Sequence, residues 1–214
     1  MQMDDVLAWI KSRWEIMLLL IFIILSRLPL LSGSLYVDEA HYARAGLMLF
    51  SGNPYFNPTH LPATSAKLII GLGQIIGNPG AFFARLPVFL VSLGSIYVTY
   101  TLGRLIRGRI VGFLSAGIVA IFPLYITHAT QALLDGPLAF FLLLAILEMY
   151  LYLEEPSTSL IVGISVVVLL GLLTKIHAFI YLLPPVGFFL FSLYQKDRLH
   201  ELTTSGRQIL AGGG

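Results

Sequence analysis

The sequence has 214 residues, of which 57% are hydrophobic and only 11% are charged, and it contains no cysteine. Soluble domains contain about one quarter charged residues and need a surface to hydrate, so this composition excludes a soluble globular domain and indicates an integral membrane protein. The net charge of +2 comes without a basic tract, which argues against a nucleic-acid partner, and the lack of cysteine excludes disulfides and thiolate-metal sites.

Six apolar runs predict membrane-spanning helices, because a helix needs about 20 apolar residues to cross the hydrocarbon core of a bilayer. The fifth run is short and suits a thin or protein-shielded span. The segment Leu68–Ile76 is apolar but shorter still, so we expect it to lie at the interface or to re-enter the membrane. The six predicted spans are Ile16–Leu31, Ala81–Ile106, Ile110–Ile126, Leu133–Leu153, Leu160–Leu173 and Ala178–Leu193.

A long segment, residues 33–80, separates the first span (residues 16–32) from the five later spans (residues 81–195). Long connections in compact proteins are usually functional, and this one contains a predicted surface helix, Val37–Phe50, followed by the turn-rich stretch Ser51–Pro58. The sequence therefore predicts an all-α, polytopic transmembrane helical bundle of about six spans, with interfacial helices in a long first outer loop. We expect one domain over residues 1–214, truncated at its C-terminus because Ala211–Gly214 closes no structural element.

Lysine and arginine set the predicted orientation, since short cytoplasmic loops are enriched in them. A cytoplasmic N-terminus places eight of the 13 Lys and Arg residues inside, three of them in the short loop Gly103–Arg109. We therefore expect a multi-pass plasma (inner) membrane protein with a cytoplasmic N-terminus and its long loop outside. A cleaved signal peptide over residues 1–34 is the alternative for the first apolar run.

In this topology many ionisable residues gather at the outer boundary, and ionisable groups near membrane spans are often functional. Asp38, His41 and Tyr42 are spaced i, i+3 and i+4, which places them on one face of a helix. An acid in the first helical turn also has an ordinary electrostatic explanation, which applies to Asp38 and to Asp135 before Gly-Pro. Lys175 has the alternative of a lysine reaching the lipid headgroups.

The histidines give no metal signal. His41, His60, His128 and His177 match no compact ligand spacing. No cofactor is assigned from the sequence, which leaves a divalent metal open.

The order of these features resembles the GT-C membrane glycosyltransferases, specifically the protein mannosyltransferase and aminoarabinose transferase group. A first span is followed by Asp38-Glu39-Ala40-His41-Tyr42, and His60–Lys67 lacks the diproline that such proteins often have there, which leaves the role of His60 open. The later matching motifs are Lys67–Gly71, Arg85-Leu86-Pro87, Leu134–Pro137 and Gly171–Lys175.

The resemblance implies sugar transfer, with inversion, from a polyprenyl-phosphate carrier to a lipid, glycan or protein acceptor at the outer face. Asp38 would take the proton of the acceptor hydroxyl, with Glu39 and Asp135 orienting the acceptor or the sugar. Lys67, Arg85 and Lys175 would stabilise the leaving phosphate. His41 and Tyr42 would contact the substrate, and the apolar spans, among membrane lipids, would hold the polyprenyl tail.

Two other function classes stay open. A transporter segment would place acids near the middle of its spans, whereas Glu148 is the one acid within the predicted spans apart from Asp135 at the very start of the fourth. A non-catalytic membrane scaffold would bind the lipid carrier without turning it over.

Overall fold

The computed structural model describes residues 12–50 and 64–199, and within these ranges the chain is helical without a strand, so the predicted all-α class is confirmed. Residues before 12, the stretch Ser51–Pro58, His60 and the glycines at the end of the chain lie outside the described residues. The helices are α1 (Trp14–Arg27), which continues into a 3-10 turn (Leu28–Leu31), α2 (Val37–Phe50), α3 (Thr64–Ile76), α4 (Ala81–Arg107), α5 (Arg109–Ile121), α6 (Pro123–Thr130), α7 (Asp135–Glu154), α8 (Thr158–Thr174) and α9 (Ala178–Gln195).

The apolar helices make this a multi-pass membrane protein. In the part of the chain that the structure describes, α4, α7, α9 and α1 with its 3-10 turn are each long and apolar enough to cross a membrane. The pair α5 and α6 passes the same test as one span bent by 70°, and α8, with 17 residues, falls just short. All six predicted apolar runs are therefore helical, the third being bent and the fifth short.

The bend between α5 and α6 follows from Pro123. Proline has no amide hydrogen and disfavours a helical conformation in the residue before it. Phe122 accordingly adopts an extended conformation with ψ of 119°, and α6 leaves in a new direction.

Glycines bring two pairs of helices into backbone contact. A Cβ atom added to Gly46 of α2 would lie 2.6 Å from the carbonyl oxygen of Lys67 in α3, and one added to Gly103 of α4 would lie 2.8 Å from Gly112 Cα in α5. Glycine permits such close approach between helix backbones because it has no Cβ atom that would clash. The α2–α3 contact holds together the two helices of the segment between the first and second predicted spans.

An ion pair joins the start of α1 to the start of α5, at the end of the bundle where α4 ends. The Glu15 carboxylate of α1 accepts hydrogen bonds from Arg109 Nε at 2.5 Å, from Arg109 Nη2 at 2.6 Å and from the Tyr100 hydroxyl at 2.9 Å. These contacts fix the start of α1 to the hairpin formed by α4 and α5.

Candidate functional site

The helix ends that carry the predicted site residues meet at one end of the bundle. α2 and α4 are joined there by Glu39 and Arg85, and α7 and the end of α8 are joined by Asp135 and Lys175. The backbone of Ala132, just before α7, also contacts Glu39. Four segments distant in sequence therefore form one polar region.

Glu39 lies at the centre of this region with 0% of its surface exposed. Its carboxylate accepts Arg85 Nε at Oε1 and Arg85 Nη2 at Oε2, both at 2.7 Å. The backbone amides of Tyr36 (3.0 Å) and Ala132 (2.7 Å) donate to the same two oxygens. Burial would raise the pKa of the Glu39 carboxyl, but these hydrogen bonds outweigh burial and hold its pKa below the ordinary value.

Arg85 uses its remaining donors on the segment between α1 and α2. Nη1 donates to the carbonyl oxygens of Leu31 (3.3 Å) and Ser32 (3.2 Å), and Nη2 also donates to that of Ser34 (2.8 Å). A guanidinium has five N–H donors, so all of them are taken up by protein acceptors. In this arrangement Arg85 holds the chain leaving α1 and offers no donor to a substrate phosphate.

Asp38, the neighbour of Glu39, is exposed because consecutive residues of a helix point about 100° apart. One turn later Tyr42 is half-buried and packs on Ala66 and Leu134. Burial raises the pKa of the Tyr42 phenol, and the negative charge of Asp38 raises it further. Asp38 and Tyr42 thus share one side of α2, as their spacing predicts.

Asp135 and Lys175 form the second half of the polar region. Lys175 Nζ donates to Asp135 Oδ1 at 2.8 Å, with each side chain about one third exposed. Both residues interact electrostatically with Tyr42, which connects them to Asp38. A carboxylate, a phenol and an ammonium–carboxylate pair therefore lie together at a surface that solvent reaches.

His128 of α6 is a site residue that sequence reasoning missed. Its Nδ1 lies 3.7 Å from Asp135 Oδ2, and that buried nitrogen has no hydrogen-bond partner among the described residues. The available signal was its place among the outer-face residues, but its approach to Asp135 depends on the bend at Pro123. Apolar periodicity contains no information about the direction that α6 takes after the bend.

An open groove of about 360 Å³ begins at Asp135 and His128. Its walls are aromatic and aliphatic side chains of α6 and α7, including Tyr125 and Leu138, together with Tyr181 of α9. The groove is therefore polar at Asp135 and His128, and aromatic and aliphatic side chains line most of the rest.

Lys67 and His41 are the remaining predicted site residues, on α3 and α2 respectively. Lys67 is buried in α3, and this burial lowers the pKa of its ammonium group. His41 is exposed, with Nδ1 2.8 Å from the Val37 carbonyl oxygen of its own helix. Within the described residues, no group of three or more His, Asp or Glu side chains could hold a metal ion.

Comparison with known families gives a match over most of the chain. The family described as dolichyl-phosphate-mannose-protein mannosyltransferase matches residues 62–206, more than half of the chain. The matched range contains Lys67, Arg85, Asp135 and Lys175 and begins after Asp38. Comparisons with curated proteins and with solved structures gave no match.

Proposed function

The chain belongs to the dolichyl-phosphate-mannose-protein mannosyltransferase family of GT-C membrane glycosyltransferases, and on this basis we propose that it transfers a sugar from a polyprenyl-phosphate carrier to an acceptor hydroxyl or phosphate at the outer face. The observation that supports this most directly is the position of the exposed Asp38 beside Tyr42 and the Asp135–Lys175 pair, at the polar end of an apolar groove. A lipid-linked sugar has the same division into a polar head and an apolar tail.

In the proposed reaction Asp38 is the general base. The acceptor oxygen attacks the anomeric carbon of the sugar, its proton passes to the Asp38 carboxylate, and the bond from that carbon to the phosphate oxygen breaks. A carboxylate within hydrogen-bond reach of the acceptor contributes about 10²–10⁴-fold to such a step. Polyprenyl phosphate leaves with the bonding electron pair.

The leaving phosphate gains negative charge and needs a nearby cation. Lys175 is the best-placed candidate, because it is partly exposed and lies at the polar end of the groove through its bond to Asp135. Lys67 is a second candidate from α3, although it is buried. Asp135, Tyr42 and His41 would then contact the sugar or the acceptor.

Glu39 and Arg85 receive a supporting role in this proposal. Their hydrogen bonds are made to each other and to the backbone, which fixes the start of α2 and therefore the position of Asp38. This assignment differs from the expectation that Arg85 binds phosphate and that Glu39 orients the acceptor.

The test is Asp38→Asn in the full-length protein, reconstituted in membranes with radiolabelled polyprenyl-phosphate mannose as the donor probe. We expect transfer of label into protein, lipid or glycan to fall at least about 100-fold, with insertion unchanged. The matched control is Glu154→Gln, an exposed acid at the opposite end of α7, which should keep full transfer.

The alternatives give other results. Unchanged transfer by Asp38→Asn would remove the base assignment. Sugar accumulation in vesicles without a new glycosidic bond would show a transporter, and carrier binding without turnover by the unmodified protein would show a scaffold.

A further inference from the structure

Arg27, close to the end of α1, is a buried cation inside a predicted span. Only 7% of its surface is exposed, so it does not resemble an arginine that reaches out to the headgroups. No carboxylate among the described residues forms an ion pair with it. Within residues 12–50 and 64–199 its guanidinium makes one hydrogen bond, from Nη2 to the backbone carbonyl oxygen of Ala120 in α5.

Ala120 lies where α5 breaks. In an unbroken helix its carbonyl would accept the amide of residue 124, but the extended Phe122 and the 70° bend end that pattern. A backbone carbonyl without a donor at membrane depth costs several kcal/mol. The C-terminus of a helix also attracts a positive charge. Arg27 supplies both the missing donor and the positive charge.

The far side of the bend is attached to α4. The Tyr125 hydroxyl of α6 donates to the Ser92 carbonyl oxygen at 2.7 Å, and the Arg27 charge is close enough to interact with Tyr125. The same short helix places Tyr125 and His128 in the groove wall. The direction of α6 therefore determines where the groove meets Asp135.

We propose that Arg27 is a positioning residue: its guanidinium stabilises the α5–α6 bend, and the bend sets Tyr125 and His128 along the groove that ends at Asp135. A straight helix in this place would move His128 away from Asp135 and open one wall of the groove.

The bend can be measured directly because the chain contains no cysteine. Nitroxide labels on Ile110→Cys and Thr127→Cys, both exposed positions, report the angle in the full-length protein in lipid nanodiscs. At 1.5 Å per residue a straight helix separates these Cα atoms by about 25 Å, and a 70° bend shortens this to about 22 Å.

Arg27→Met should lengthen the measured distance by up to about 4 Å or broaden its distribution toward the longer value. Arg27→Lys should keep the short distance, because an ammonium group still donates to the Ala120 carbonyl. The control is Ser26→Ala, at an exposed neighbouring position, which should leave the distance unchanged. An unchanged distance in Arg27→Met overturns the proposal.

If Arg27→Met alone does not accumulate in the membrane, the double variant Arg27→Met/Pro123→Ala decides. Alanine at position 123 returns an amide donor and permits a continuous helix, so we expect the double variant to accumulate with the longer distance. Failure to accumulate, or a short distance, overturns the proposal.

The effect on sugar transfer rests on the proposed function, whereas the bend is measured without it. We expect Arg27→Met to lose at least tenfold in transfer and Arg27→Lys to recover most of it. If the unmodified protein transfers no sugar, the proposed function fails while the distances still test the role of Arg27. If Arg27→Met lengthens the distance without losing transfer, the bend does not position the groove for catalysis.

Discussion

At the scale of single residues, two adjacent acids have opposite surroundings. Glu39 is buried and accepts four hydrogen bonds, whereas Asp38 is exposed beside Tyr42. The rotation of about 100° per helical residue separates them. One acid therefore stabilises the fold while the other stays accessible to a substrate.

Replacing Glu39 by Gln should lower the free energy of unfolding by about 3–5 kcal/mol, because it leaves the Arg85 charge buried without its partner. The measurement is the thermal or denaturant midpoint of the purified protein in detergent. Asp38→Asn is the matched control and should change the free energy by less than about 0.5 kcal/mol. The double variant Glu39→Gln/Arg85→Met should lose less free energy of unfolding than the sum of the losses of the two single variants. Equal losses from Glu39→Gln and Asp38→Asn would contradict the role given to the buried pair.

The sequence predicts some of these residue positions but not their partners. The spacing of Asp38 and Tyr42 predicts a shared helix face, and the structure has them interacting. Glu39 and Arg85 are 46 residues apart, and any basic residue of the outer boundary could have been the partner of Glu39. Which cation is buried and which stays exposed depends on packing around each one, and local sequence does not contain that information.

At the scale of helices, contacts between glycines decide how closely neighbours approach. Gly46 of α2 meets Gly71 of α3, where an added Cβ would lie 2.8 Å from the Gly71 amide nitrogen. Since α2 presents Asp38 and α3 contains Lys67, this crossing sets the distance between two predicted site residues.

Gly46→Ala should therefore lower the free energy of unfolding by about 1–3 kcal/mol, as overpacking of a tight contact does. Gly117→Ala in α5 is the matched control, because an added Cβ there meets nothing within 4 Å. The free energy of unfolding of this control should be unchanged or rise by up to about 1 kcal/mol, because alanine has a better helix propensity than glycine. The measurement is again the unfolding midpoint in detergent, and a harmless Gly46→Ala would mean that α2 and α3 are not held this closely.

Helix positions follow well from apolar patterning, while directions do not. The predicted Val37–Phe50 helix has the same limits as α2, and Ala81–Ile106 differs from α4 by one residue. The run Ile110–Ile126 stays apolar through Phe122 and Pro123, so hydropathy alone predicts one span where the structure has two helices at 70°. Pro123 marks the position of the break. The angle between the two helices depends on contacts distant in sequence, from Arg27 to Ala120 and from Tyr125 to Ser92.

At the scale of the whole molecule, the two ends of the bundle differ in character. One end contains Asp38, Asp135 and Lys175 together with the groove, and the other contains the Glu15–Arg109 pair and the arginine-rich loop of the α4–α5 hairpin. A basic short loop favours the cytoplasm, so we expect the end with Asp38 to face outward.

Cysteine labelling tests this orientation in a chain that has no cysteine of its own. A membrane-impermeant maleimide should label Val37→Cys in intact cells and label Glu155→Cys only after permeabilisation; both positions are exposed and lie at opposite ends of the bundle. The physical reason is that the reagent reaches only the outer face. The reverse pattern would invert the topology and place the proposed site in the cytoplasm.

The four-way hydrogen bonding of Glu39 also constrains how the protein is made. The carboxylate needs the amide of Ala132, which is 93 residues further along the chain. At about 5–20 residues per second, the ribosome takes roughly 5–20 s to synthesise that stretch. During this interval Glu39 lacks the Ala132 donor. The region around Asp38 can therefore reach its final form only after the segment before α7 has been synthesised, so its assembly comes late in membrane insertion.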